Sequence, residues 1–270
     1  MDTVTAGEVR MPALGLGTYR LRGQGCRNAV RTAIDIGYRH IDTAEFYDNQ
    51  SAIGDAIERA AIDRDELFVT TKIWRTNLAY DDALRSATES IAKLGLQTVD
   101  LLLIHWPSEE VPHEQPIRAM NELQDDGRVR HIGVSNFSIE QLREAQSISA
   151  TPIVTNQVEY HPYQSRADLL QYCVANDIIL TAYSPLAKGT AASDETLDKI
   201  GQRYDKTAAQ ITLRWLIQQP QVAAIPKASS RDHLAANYDI LDFELTPAEM
   251  RTVFELQGGL PSGLAATLDL

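Results

Sequence analysis

Cysteine is nearly missing from this sequence. Cys26 and Cys173 are the only two in 270 residues, so no disulfide framework and no cysteine-based zinc site can be assembled. A reducing compartment suits such a chain. Long apolar runs are missing as well, and nothing approaches the roughly eighteen residues a membrane span needs. Residues 1–10 are polar and contain no apolar segment of the kind a secretory signal carries. The expectation is therefore a cytoplasmic protein with no membrane partner. Lysine is scarce, at six against nineteen arginines, and the formal net charge is −12. No run of basic residues appears, which argues against a nucleic-acid partner. Adaptation to high salt and an ordinary acidic enzyme both fit that surface. The six histidines are scattered in sequence, so no metal site is expected.

What is present is a repeating order of elements. Short apolar runs at 13–17, 40–42, 67–71, 99–105, 132–135, 153–159, 178–184 and 222–226 have strand length and polar or glycine boundaries. Between them lie amphipathic stretches, among them 26–36, 52–61, 81–94, 115–126, 139–148 and 168–176. Asp81 and Asp82 suit the positive end of a helix, and Gly37, Gly95 and Gly127 stand where helices should stop. Alternating strands and helices imply an α/β fold with a parallel sheet. An open dinucleotide-binding sheet would carry G-x-G-x-x-G after its first strand. Here Gly15-Leu16-Gly17 is followed by Arg20 at the third glycine position. Eight strands favour a (β/α)₈ barrel, one domain over residues 1–270, with its site at the strands' C-terminal ends.

Polar groups do collect at those ends. Asp42, Lys72, His105, Ser135, Asn136, Gln157, Glu159, Tyr183, Ser184 and Lys227 each lie at or just after an apolar run. Among them, Asp42, Lys72 and His105, with Tyr47 in the loop after Asp42, form a chemical set. A phenol ordinarily titrates near pH 10. An ammonium beside Tyr47 would lower that value, a carboxylate from Asp42 would hold Lys72 charged, and His105 could donate to a substrate oxygen. The set provides a proton but no hydride, so a cofactor must supply one. Taken singly, each residue also fits a structural role: a strand-end ion pair, a capping histidine, a loop aromatic. A Schiff-base role for Lys72 is the other chemistry open to it. Cys26 and Cys173 are expected to pack inside, and His161 to serve a turn.

The segment Gly37-Tyr38-Arg39-His40-Ile41-Asp42-Thr43-Ala44-Glu45-Phe46-Tyr47 resembles the aldo-keto reductase signature. So do Thr70-Thr71-Lys72-Ile73-Trp74, Val99-Asp100-Leu101 with His105-Trp106-Pro107, and Ile132-Gly133-Val134-Ser135-Asn136-Phe137. Asn156-Gln157-Val158-Glu159-Tyr160-His161-Pro162, Tyr183-Ser184-Pro185-Leu186 and Ile225-Pro226-Lys227 complete seven ordered motifs, from about Leu14 to Leu245. Within the family the chain resembles prokaryotic 2,5-diketogluconate reductases of the B type. The resemblance implies NADPH-dependent reduction of small aldehydes or ketones by a monomer. Tyr47 would donate the proton, Lys72 and Asp42 would tune it, and His105 would orient the carbonyl. Ser135, Asn136 and Gln157 would hold the nicotinamide carboxamide, and Tyr183 would stack on the ring. Ser184 and Leu186 would follow the pyrophosphate, while Gly17, Thr18 and Asp42 would border the cofactor. Tyr19, Trp74 and Trp106 would line the substrate pocket with Tyr47 and His105. A nucleotide-binding redox sensor without turnover is the alternative.

The chain departs from the family pattern where the adenosine 2′-phosphate is expected. Lys227 is kept, but Ala228 stands for Ser, His233 for Arg and Ala236 for Glu, with Asn237 retained. Arg is a permanent bidentate charge, whereas His is neutral for much of the time near pH 7. NADPH remains the expected cofactor, with NADH plausible and Ser229, Ser230 or Arg231 able to compensate. Segments 108–114 and 187–194 and the fourteen residues after Leu256 are short for loops that close a pocket. That predicts an open site for small polar carbonyls, under a tail that Gly258, Gly259 and Gly263 make flexible.

Overall fold

The structure is a computed structural model and describes residues 2–260 and residue 265. Gly263 and most of the tail expected to close the pocket lie outside the described residues. The chain opens with an antiparallel hairpin of β1 (Thr3–Ala6) and β2 (Val9–Pro12). Val4, Ala6, Val9 and Met11 face inward from it. Eight parallel strands follow in one sheet, each bonded to its neighbours in chain order. They are β3 (Leu16–Gly17), β4 (His40–Asp42), β5 (Phe68–Ile73), β6 (Val99–Ile104), β7 (Val129–Ser135), β8 (Ile153–Glu159), β9 (Ile179–Tyr183) and β10 (Val222–Ala224). All eight overlap the apolar runs, though β7 starts three residues earlier and β5 ends two later. β5 and β6 are buried at every position, as strands covered on both faces must be.

The sheet closes on itself. Leu14 bridges Ala224 in parallel. Gly15 N–H donates to Ala224 O at 2.9 Å, Ala224 N–H to Ala13 O at 2.8 Å, and Gly17 N–H to Pro226 O at 3.0 Å. The seam is tight, because a Cβ on Gly17 would stand 2.6 Å from Ile225 O, and one on Gly15 2.6 Å from His40 Nδ1. Gly15 and Gly17, which lack the third glycine of a dinucleotide-binding loop, are thus sites of close approach at and beside the closing seam.

Helices α1 (Gly23–Ile36), α2 (Gln50–Glu58), α3 (Tyr80–Lys93), α4 (Glu114–Asp125), α5 (Ile139–Ile148) and α6 (Ala167–Ala175) match the amphipathic stretches. Gly37, Gly95 and Gly127 end α1, α3 and α4 at φ of 130°, 65° and 72°, a backbone region costly for other residues. Two helices, α7 (Glu195–Gly201) and α8 (Ala208–Ile217), join β9 to β10. After β10 come α9 (Arg231–Tyr238) and α10 (Pro247–Glu255). These four escape the periodicity reading, α7 and α8 for identifiable reasons. In α8 nearly every residue is buried, so no polar stripe marks it, and α7 spans only seven residues. The hairpin hides because four-residue strands show too little alternation. The segment 187–194, expected as a short loop, holds 3₁₀ turns within Ala187–Ser193 separated by a kink where Lys188 and Gly189 take positive φ.

Candidate active site

At the C-terminal rim, β4 ends in Asp42 and β5 carries Lys72 into the lumen, both 1% exposed. Lys72 Nζ donates to Asp42 Oδ1 at 2.5 Å and to Thr43 O at 2.8 Å, and lies 3.5 Å from Tyr47 Oη. Its three directions are committed inside the protein, which leaves no free amine for Schiff-base chemistry. Burial pulls Lys72 below the usual lysine value, and the Asp42 carboxylate offsets part of that pull. Tyr47 follows in a 3₁₀ turn, Glu45–Tyr47. That turn is held by Asn49, which accepts from Thr43 Oγ1 at 2.7 Å and donates to Thr18 O at 2.9 Å.

The phenol corrects one expectation. Tyr47 lies well above the ordinary tyrosine value, because burial and then the Asp42 carboxylate oppose ionisation. The Lys72 charge, neutralised by Asp42 and 3.5 Å away, does not reverse this. Tyr47 thus holds its proton at neutral pH, the state a donor needs. Beside it, His105 is pushed down to about 3 by burial and by Lys72, so its imidazole is neutral. Its Nδ1 is buried without a partner. A bare lone pair there costs less than an unpaired N–H, which places the hydrogen on Nε2. The Tyr47 and His105 rings meet nearly edge-on with centroids 5.6 Å apart.

A second polar corner lies on β7, β8 and β9. Ser135 Oγ donates to Gln157 O at 2.7 Å. Asn136, at φ 65°, donates through Nδ2 to His105 O and to Ser135 Oγ, each at 3.0 Å. Tyr183 Oη donates to Asn136 Oδ1 at 3.0 Å. Gln157 Nε2 donates to Asp42 Oδ2 at 2.7 Å, so the two corners are one network.

Aromatic rings wall the outer part. Tyr19 packs on Tyr47 at 5.1 Å and Trp74 on His105 at 5.0 Å. Phe46 stacks on Trp74 at 4.0 Å; it was not among the residues the sequence reading assigned to the pocket. Its position between Asp42 and Tyr47 in the signature segment is the signal that could have found it. Glu45 was missed in the same way; it accepts from Trp74 N–H at 2.9 Å and from Ser86 Oγ at 2.7 Å, anchoring that wall. Trp106 is exposed and stacks on none of these rings.

The remaining expected cofactor residues are spread over three segments, after β3, after β9 and after β10. Thr18 is buried and bonds Asp42 O through both N–H and Oγ1. Ser184 sits at φ 48°, and Leu186 lies in the same turn after β9. Lys227, Ser229 and His233 are exposed at or before the start of α9, whereas Asn237 is buried in it. Pro226, bonded to Gly17, connects this group to the mouth. A hollow of about 820 Å³ lies outside the barrel lumen, between α2 and the end of α3, lined in part by Gly54, Arg64, Thr98 and Arg130, and holds none of these residues. Among the described residues, no group of three or more His, Cys, Asp or Glu could hold a metal ion.

Comparison with known proteins agrees with this arrangement. The pattern of the aldo/keto reductase family matches residues 13–257. The chain belongs to that family. Methylglyoxal reductase DkgB of Escherichia coli O157:H7 is 37% identical to this reductase over 266 residues, covering 96% of this chain and 99% of its own. A solved structure provisionally assigned as a 2,5-diketo-D-gluconic acid reductase B superposes with a TM-score of 0.94 at 43% identity, covering 97% of this chain and 93% of that one. An aldo-keto reductase complexed with NADPH gives 0.89 at 32%, covering 95% and 88%. This chain is accordingly an NADP-dependent oxidoreductase of the carbonyl-reducing kind.

Proposed function

We propose that this reductase acts on small polar aldehydes and ketones, such as dicarbonyls and sugar-derived carbonyls, with Tyr47 as proton donor. The observation that carries the reading is the buried row Asp42–Lys72–Tyr47 beside a neutral His105. The residues present fit a nicotinamide dinucleotide. Asn136 Oδ1 and the Gln157 amide can pair with a carboxamide, and the half-buried Tyr183 ring offers a stacking face. Lys227, Ser229, Ser230 and Arg231 are exposed around the N-terminal end of α9, where peptide N–H groups and the helix dipole favour phosphate.

NADPH, when bound, supplies the hydride. His105 Nε2–H donates to the carbonyl oxygen and fixes its orientation. Tyr47 Oη–H delivers the proton to that oxygen, and Lys72, held by Asp42, stabilises the phenolate left behind. The aromatic wall of Tyr19, Phe46 and Trp74 excludes water from one side. Lys227 and His233 are the groups placed to meet a 2′-phosphate. With His in the position of a permanent charge, preference for NADPH over NADH is weaker than an arginine would give. The protein works as a cytoplasmic monomer.

The test is nicotinamide absorbance in the presence of methylglyoxal and related carbonyls, with NADPH and then NADH, for wild type and Tyr47→Phe. Wild type oxidises NADPH, and the variant is slower by about a hundredfold or more. A tighter Kd for NADH than for NADPH would refute the cofactor assignment. NADPH binding without oxidation of any carbonyl would support the sensor alternative.

A further inference from the structure

Asp42 and Gln157 sit on β4 and β8, four places apart in the order of an eight-stranded closed sheet. They therefore project from opposite walls of the lumen. Gln157 Nε2 nonetheless donates to Asp42 Oδ2 at 2.7 Å, and the two residues are 3% and 1% exposed. Asp42 Oδ1 is occupied by Lys72 at 2.5 Å. Without the amide, one oxygen of a buried carboxylate would lack a donor, and its ionised form would be disfavoured. The Gln157 backbone is pinned as well, since its carbonyl accepts from Asn136 N–H at 2.9 Å and from Ser135 Oγ at 2.7 Å. A primary amide has two N–H groups and a carbonyl oxygen. Only one N–H is used toward Asp42; no other side-chain partner of Gln157 exists among the described residues.

We infer that Gln157 is a positioning residue for the proton donor: one N–H holds Asp42 Oδ2, so that the carboxylate stays fixed against Lys72 and Lys72 beside Tyr47, while the other N–H and Oε1 remain for the cofactor's carboxamide. One side chain thereby joins the nicotinamide end of the site to the Asp42–Lys72–Tyr47 row. Its carboxamide half rests on the proposed function; its Asp42 half stands on the protein alone. The titratable groups facing Asp42 are Lys72 from β5, Tyr47 from the following turn and His40 from its own strand. His105 and Tyr19 act at one remove, through Lys72 and Tyr47.

Two variants separate this role from simple packing. Gln157→Met keeps an unbranched chain and removes the donor. Gln157→Glu keeps the shape, donates when protonated and repels Asp42 when ionised. Urea unfolding of the cofactor-free proteins from pH 8 to pH 5 is the first readout. The Met variant's stability deficit narrows as pH falls, because protonation of Asp42 removes the need for the donor. The Glu variant's deficit grows as pH rises. Deficits independent of pH in both variants would overturn the inference. The second readout is kcat against pH at saturating NADPH. In Gln157→Met the acid limb moves up by about one to two pH units and the plateau falls about tenfold. A raised Kd for NADPH with the wild-type pH profile would reduce Gln157 to a carboxamide contact and likewise overturn the inference. If wild type turns over no carbonyl, the proposed function fails while the unfolding experiment still decides the Asp42 half.

Discussion

His40 and His105 are both neutral, and burial is the main cause in each. His105 is thereby fitted to donate one hydrogen bond without carrying charge into the site. His40 has no such task; its Nε2 lies 3.1 Å from Thr70 Oγ1 under the floor of the rim. Burial pushes it down to about 4, while in the unfolded chain it titrates near 6.5. Between those values the unfolded chain binds a proton that the folded one refuses, so stability falls as pH drops from 6.5 to 4. The loss due to His40 amounts to about 3 kcal/mol. Urea unfolding of wild type and His40→Gln across that window should show a flatter slope in the variant. The residues of the row were legible because chemistry-bearing side chains at strand ends announce themselves in a barrel. The Gln157–Asp42 bond was not, because a contact across 115 residues depends on which walls face each other. The direction of the Tyr47 shift was misread for a related reason: sequence places an ammonium nearby but does not reveal how fully a carboxylate neutralises it.

Among the elements, β3 and β10 are short, two and three residues long, and their seam depends on close backbone approach. Gly17→Ala would set a methyl 2.6 Å from the Ile225 carbonyl. Backbone cannot swing aside as a side chain can, so the variant should lose about 1–3 kcal/mol of stability in urea unfolding. The same shift would reach Lys227 through Pro226, weakening NADPH binding with little change at Tyr47. Elements with alternation or a clear amphipathic stripe were readable in advance, and α5 was read to the residue. Its capping box of Ser138 and Gln141 gives a local start signal that needs no tertiary context. Thr207 with Gln210, and Thr246 with Glu249, start α8 and α10 in the same way. Those boxes were the cue for two helices that hydrophobic period alone did not disclose.

For the molecule as a whole, the surface charge of −12 surrounds a site whose cofactor is itself an anion. Lys227 and Arg231, exposed beside the start of α9, are the cations proposed to meet its phosphates. The other end of the barrel is closed. The β1–β2 hairpin buries its apolar face there, Gly7 N–H donates to Asp177 Oδ2 at 2.5 Å, and Asp2 O accepts from Ala13 N–H at 2.9 Å. A vessel with a sealed floor has a single doorway. What lodges deepest must arrive first and depart last, and the buried corner of Ser135 and Gln157 with Asn136, proposed to hold the carboxamide, lies inward of the exposed rings Tyr19 and Phe46. Turnover should therefore follow a compulsory order, with the dinucleotide first in and last out. In product-inhibition kinetics, NADP⁺ should compete with NADPH but not with the carbonyl. Random entry of the two substrates would show that the cofactor does not lie beneath the carbonyl in that single mouth.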